Sequence, residues 1–198
     1  MSSSSAVGPL PRALLSAVSQ GERFGVGTAA GGRSRQRPPS TVARDLHFGH
    51  VPGHPPGSTF EDRHALAASG VHRARRAGIA GRAREGATSV VLSGGYVDDE
   101  DRGDTVLYTG AGGRDPRTGR QVGDQSLART NLALAQSARR GLPVRVVRGA
   151  HPDVHDPPAS GYRYDGLYRV ADYWQETGAD GYRVWRFKLV RASGEDAA

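Results

Sequence analysis

Tyr162 to Tyr173 and Tyr182 to Arg191 alternate aromatic or apolar residues with polar ones, and they meet across Gly178 to Gly181. Alternation with a period of two puts every second side chain on one face of an extended strand, and the intervening glycines permit a reversal. The pair predicts a long antiparallel hairpin. Shorter strand signals precede it at Ser89 to Leu92, Thr105 to Tyr108 (after a turn at Gly103-Asp104) and Val144 to Val147. Helices are fewer. Ser58 with Glu61 three residues on has the capping-box pattern and predicts a helix from Thr59 to about Ala68, stopped by Gly70. Asp124 to Arg140 has Leu127, Leu134 and Ala138 at helical spacing, Asp124 as a cap and Gly141-Leu142-Pro143 as a stop. Many strands with two or three helices predict an α+β domain built on a curved sheet or barrel.

The domain is expected over residues 45–191. Residues 1–44 read as a disordered leader, with a serine run at Ser2 to Ser5 and a basic, breaker-rich stretch from Gly31 to Pro39. Residues 192–198 read as a flexible tail. The chain has 28 glycines and 12 prolines, about a fifth of its length, and is only 36% hydrophobic, which predicts a loop-rich fold with a modest core.

The net charge of +7 favours a polyanionic partner. Of 27 basic residues all but Lys188 are arginine, the side chain that grips phosphate and guanine with two parallel bonds. Host codon usage accounts for the Arg/Lys ratio equally well, but not for the positive sum. With no cysteine there is no disulfide, thiolate metal site or cysteine nucleophile. No apolar run approaches the roughly 20 residues of a membrane span. The first residues lack the basic start and unbroken apolar stretch of a signal peptide.

Against this basic background Ser89 to Gly113 stands out. Tyr96 and Tyr108 bracket the acidic run Asp98-Asp99-Glu100-Asp101, with glycine pairs on both sides. Two aromatic plates and one carboxylate suffice to hold a single extruded nucleobase, stacking on its faces and accepting from its amine. The same residues also fit a solvated acidic turn beside two core tyrosines, or a hard-oxygen site for a divalent cation, although the spacing matches no complete EF-hand loop.

Two basic, glycine-punctuated segments flank this island. Arg73 to Arg84 contains Arg75, Arg76, Arg82 and Arg84, and Arg114 to Arg120 contains Arg114, Arg117 and Arg120. Both read as loops able to approach a phosphate backbone, or as solvated basic surface. The seven histidines show no metal-ligand spacing with an acidic partner, and no phosphate loop, dinucleotide fingerprint, nucleophile elbow or His-Asn-His nuclease pattern is present.

From about Phe48 to Arg191 the chain resembles the SRA (SET- and RING-associated, or YDG) domain. The resemblance rests on Phe48 to Gly53, Gly70-Val71-His72, Ala77 to Gly81, Val91 to Asp99, Tyr108-Thr109-Gly110, Asp124-Gln125, Pro143 to Arg148, Tyr162 to Tyr168 (which holds the Tyr-Asp-Gly signature) and Tyr173-Trp174. It implies a twisted, saddle-like β-barrel of the SRA/PUA-like kind with flanking helices. It implies a non-catalytic reader of 5-methylcytosine or 5-hydroxymethylcytosine in double-stranded DNA, acting by base flipping without metal or cofactor.

Carried over residue by residue, Tyr96 and Tyr108 would stack on the flipped cytosine and Asp99 would accept from its N4 amine. Thr109 and backbone groups near Gly78 and Asp99 would bond the remaining polar edge, and Ser93 and Gly94 would surround the 5-substituent. The loop around Arg76 and that around Arg117 to Arg120 would enter the two grooves. The chain departs from the eukaryotic pattern in three ways. It has Arg76 where readers of hemimethylated DNA place a small apolar wedge, a shorter second loop, and Ser93 in place of alanine. Those loops read the opposite strand, so a preference for hemimethylated CpG is not carried over, and the lack of RING, SET and histone-reading domains implies a bacterial, cytoplasmic, nucleoid-associated protein. The alternative is the recognition component of a modification-dependent restriction system, with a nuclease supplied by a partner.

Overall fold

A computed structural model of the chain describes residues 46–193. The expected leader and most of the expected tail lie outside the described residues. The elements in order are β1 (Thr59–Phe60), α1 (Arg63–Ser69), β2 (Ile79–Arg82), β3 (Gly86–Leu92), β4 (Glu100–Asp101), β5 (Thr105–Thr109), α2 (Arg129–Arg140), β6 (Val144–Gly149), β7 (Tyr162–Thr177) and β8 (Arg183–Arg191). No helix among the described residues is long and apolar enough to cross a membrane.

The strands form one sheet in the order β2-β3-β6-β7-β8-β5-β4, with β1 added beside β7. Every pairing is antiparallel except β3 with β6. The first and last strands of this order do not pair, so the sheet is open. That corrects the barrel: two unpaired edges remain, at β2 and β4. The expected hairpin is present as β7 and β8, turning where Gly178 and Gly181 share a hydrogen bond of 2.9 Å.

Helix α2 lies across the apolar face with Ala133, Leu134 and Ala135 buried, against a core that includes Ile79, Val90, Val106, Tyr168 and Phe187. A second cluster of Leu66, Val71, Val91, Val147 and Tyr164 fills the other face. Strands covered on both faces read as near-continuous apolar runs, and β3 is buried along its whole length.

Both helix starts differ from expectation. Ser58 Oγ donates to the Pro55 carbonyl at 2.7 Å, and Thr59–Phe60 is drawn into the sheet beside Arg163 and Tyr162. Asp62 caps α1 instead, accepting from the N–H groups of His64 and Ala65 at 2.8 Å each. Asp124 accepts from the Arg183 N–H at 2.8 Å, and α2 starts five residues later. Both stops hold: Gly70 and Gly141 adopt the left-handed conformation that glycine tolerates.

The Tyr-Asp-Gly signature also has a physical reason. Val146 and Val147 pair with Gly166 and Tyr164, leaving Asp165 as the extra residue of a β-bulge, next to Gly166 at φ +113°. The bulge turns Asp165 toward Arg148, whose Nη1 donates to its carboxylate at 2.6 Å.

Candidate nucleic-acid interface

Strand β3 ends at Leu92, and the chain turns sharply at Gly94 (φ +65°) into the loop carrying Tyr96 and the acidic run. The His151 ring lies against Gly94, where an added Cβ would sit 2.2 Å from it, so any side chain there would displace the imidazole as well as strain the positive φ. Sequence reasoning passed over His151, because its role depends on contact with a residue far away in the chain.

The four acidic residues separate completely. Asp98 accepts from the Ala179 N–H at 2.8 Å, tying the loop to the β7–β8 turn. Glu100 pairs with Arg102 at 2.7 Å and Arg186 at 3.4 Å. Asp101 is buried and takes two bonds from Arg148, at 2.7 and 2.6 Å. Asp99 meets no cation within ion-pair distance, and its one hydrogen bond comes from the Thr109 N–H at 2.7 Å. The run is therefore neither a solvated turn nor a convergent cluster of cation ligands. Among the described residues no group of three or more His, Asp or Glu is placed to hold a metal.

Burial pushes the Asp99 carboxyl up to about 6, and the Thr109 N–H only partly offsets it. The group is mostly surrounded by protein yet keeps access to solvent through a cavity of about 90 Å³ lined by Leu92, Gly94, Tyr96 and Val97 among others. Because the folded value is raised, this carboxyl favours the folded state at low pH. That contribution is lost as pH rises through the window from about 4 to about 6. Asp99→Asn is expected to remove this slope, seen as a flatter pH dependence of stability in urea melts over that window.

Of the other expected pocket residues, Tyr96 lines the cavity, with its Oη accepting from the Gly112 N–H at 3.2 Å. Arg114 covers one face of its ring at 5.3 Å from the centroid. Thr109 is buried; its Oγ1 makes no hydrogen bond of normal geometry, but it lies close enough to the Asp99 carboxylate to favour its charged form. Tyr108 is buried against Gly78, where a Cβ would lie 2.5 Å from the phenol oxygen, and it does not line the cavity. Ser93 is exposed at the rim, outside the cavity lining.

The first basic segment is not all loop. Ile79–Arg82 is strand β2, and Arg82 pairs with Glu85 at 3.0 Å in the turn to β3. Arg82 thus sits about 13 Å from Gly78, at the far end of β2, and Arg84 lies in the turn beyond it. The sequence predicts loop throughout the segment, and its second half is strand instead. Arg75 and Arg76 remain exposed beside the pocket.

The loop carrying Arg75 and Arg76 is shaped by two residues that the sequence reading did not assign to it. Arg63 donates to the Arg75 carbonyl at 3.2 Å, the Ala74 carbonyl at 2.8 Å, and the Ala77 carbonyl. Buried His72 bridges Ser89 Oγ and the Ala77 carbonyl, 2.9 Å from each, and burial pushes it down to about 3, so it stays neutral. His72 falls within a motif noted above; Arg63 carried no sequence signal.

In the second basic segment Arg120 pairs with Asp180 at 3.0 Å and Arg114 donates to the Gly119 carbonyl at 2.5 Å. Arg117 is exposed, with its guanidinium unpartnered among the described residues. Between this loop and the Tyr96 loop lies a cleft of about 490 Å³, floored by His151 and Asp153.

A sequence profile of the SAD/SRA domain matches residues 47–195. The E3 ubiquitin-protein ligase UHRF1 of Bos taurus is 43% identical over 90% of this chain and 25% of its own length. The chain thus spans about a quarter of that relative. Among solved structures, a modification-dependent TagI restriction endonuclease is 47% identical with a TM-score of 0.73, covering 76% of this chain and 54% of that one. The SUVH5 SRA domain bound to fully hydroxymethylated CG DNA is 41% identical with a TM-score of 0.64, covering 75% and 95%. On the matched profile and these likenesses, the chain belongs to the SAD/SRA domain family.

Proposed function

We propose that the domain reads modified cytosine in duplex DNA by drawing the base out of the stack into the Tyr96–Asp99 pocket. One observation carries this reading. Asp99 has neither a cationic partner nor full solvation; it is the member of its acidic run whose carboxyl burial pushes up, and it faces a small cavity beside an aromatic ring. A buried carboxylate in that condition gains from a donor, and the N4 amine of cytosine supplies one while thymine presents an acceptor. Thr109 Oγ1 offers a second bond to the base edge.

In this reading Tyr96 stacks on the base through the face that Arg114 leaves open, and Tyr108, buried against Gly78 outside the present cavity, becomes the second stacking ring only if the base enters beyond that lining. Ser93 and Gly94 border the 5-substituent. Extrusion costs a few kcal/mol, and stacking returns about 1–3 kcal/mol per base. One methyl adds under about 1 kcal/mol by burial. Preference for methylated over plain cytosine is therefore modest, and rejection of thymine is larger.

Arg75, Arg76 and Arg117, exposed on two loops beside the pocket, serve as the phosphate contacts. Three such contacts predict that affinity falls about 40-fold between 50 and 200 mM salt. Arg76→Ala is expected to weaken binding to all duplexes alike and to reduce the log–log salt slope by about 0.9. Fluorescence anisotropy on unmodified, hemimethylated, fully methylated and hydroxymethylated duplexes tests the whole reading. Equal affinity for all four would refute base reading, and a flat salt response would refute the phosphate contacts.

A second reading has a specific observation in its favour. The likeness to a modification-dependent restriction endonuclease at 47% identity supports a restriction setting, with this domain as the recognition part and cleavage supplied by a partner. A bacterial, nucleoid-associated placement belongs to this second reading. Cleavage of methylated DNA by the purified chain with Mg²⁺, lost in Asp98→Ala, would replace the reader with a nuclease.

A further inference from the structure

Strand β6 buries two arginines three residues apart, so they face opposite sides of the sheet. Arg148 is fully matched, with carboxylates from Asp101 and Asp165. Arg145 is equally buried, 2% exposed, and is not matched. Its Nε donates to the Val71 carbonyl at 2.8 Å, and its Nη1 to the carbonyls of His47 and Gly49 at 3.0 and 2.6 Å. These partners are all neutral. Among the described residues its Nη2 takes part in no hydrogen bond and no carboxylate pairs with it.

A buried charge without a counterion is costly. Burial pushes the guanidinium down to about 10, and Arg73 nearby adds to the effect. The side chain borders a cavity of about 150 Å³ whose mouth carries the exposed Arg73. That volume is on the scale that accommodates a benzene-sized molecule. Leu46, Val51 and Pro52 supply an apolar wall. Ser69 and Thr88, the hydroxyls of the lining, already donate to the Leu66 and Ala80 carbonyls at 2.8 and 3.3 Å. The polar groups left over are two guanidiniums and the second ring nitrogen of His47, whose Nε2 meets the His50 carbonyl at 2.6 Å.

We propose that the cavity between Arg145 and Arg73 is a binding site for an organic carboxylate, separate from the base pocket. A planar carboxylate suits a guanidinium fork, and the apolar wall suits the carbon chain behind it. Phosphate, with three or four hydrated oxygens, would leave several of them facing Leu46, Val51 and Pro52. The two cavities share no lining residue. The carboxylate comes either from a small acid or from an acidic side chain followed by an apolar one.

The test is thermal unfolding of the full chain in sodium acetate, a capped Glu-Leu dipeptide or sodium phosphate, each against sodium chloride at equal ionic strength. At ten times its dissociation constant a ligand of the folded state shifts the folding equilibrium about elevenfold, a rise of about 3–6 °C. Arg73→Glu tethers a carboxylate at the mouth. It is expected to raise the melting temperature by itself and to abolish the response to acetate, while retaining any general salt effect. Asp99→Ala is expected to keep the acetate response in full. A larger rise with the dipeptide than with acetate identifies a peptide source, and the reverse a small acid. Equal melting in acetate and chloride, an unchanged acetate response in Arg73→Glu, or a stronger response to phosphate would each overturn the assignment.

Discussion

Asp99→Ala is expected to lose base reading: the N4 amine it meets is common to plain and methylated cytosine, so both duplexes are left held alike by the phosphate contacts. A hydrogen bond to a charged acceptor contributes about 1.5–3 kcal/mol, so affinity for a methylated site falls roughly 10- to 150-fold. Phosphate binding persists because Arg75, Arg76 and Arg117 do not touch this carboxylate. Folding is expected to be unharmed or improved, since burial disfavours the charged group. Only the Thr109 N–H loses a partner. Binding isotherms on methylated and plain duplexes, run beside a melting curve, check both halves. Equal affinity of variant and wild type for the methylated duplex would remove Asp99 from the pocket.

Two residues along, the same type of change gives the opposite result. Asp101→Asn is expected to cost about 3–5 kcal/mol of stability, because it leaves Arg148 buried with half its compensation gone. For a domain of this size that is a fall of about 6–20 °C in melting temperature. Burial alone would lower the Arg148 value, yet its bonds to Asp101, Asp165 and Tyr168 outweigh burial and raise it. The guanidinium also donates to the Gly103 carbonyl at 2.8 Å, and the Tyr168 hydroxyl joins there at 2.8 Å. This network joins β4, the turn before β5, β6 and β7 behind the pocket. Calorimetry on Asp101→Asn reads the effect directly. A melting temperature within a degree of wild type would mean that solvent replaces the lost carboxylate.

The pair shows where sequence reasoning reaches. The segment holding the pocket was legible because two tyrosines and an acidic run interrupt a basic chain. Motif resemblance then singled out Asp99, a choice that composition could not make. Strand positions were legible where alternation was strong, as in β7 and β8. Helix ends with glycine were legible too, because a left-handed stop is a property of one residue. Helix starts were not: Ser58 and Asp62 are both good caps, and the sheet decided between them by drawing Thr59 and Phe60 to β7. The loop expected over the first basic segment is strand from Ile79 to Arg82, because Ile79 and Ala80 are drawn into the sheet beside Val90 and Ser89.

By itself the sequence determined the strand-rich α+β class, the hairpin, the family resemblance, and the basic charge that favours a polyanion. These are local or additive properties, written in periods of a few residues or in sums over the chain. Tertiary structure alone decided that the sheet stays open, which arginines remain free, and what each of four adjacent acids does. Asp98, Asp99, Glu100 and Asp101 are nearly the same chemical group. They differ only in their partners, which lie 81, 10, 86 and 47 residues away in Ala179, Thr109, Arg186 and Arg148. A carboxylate's role depends on the charge and solvent around it, and the fold supplies both.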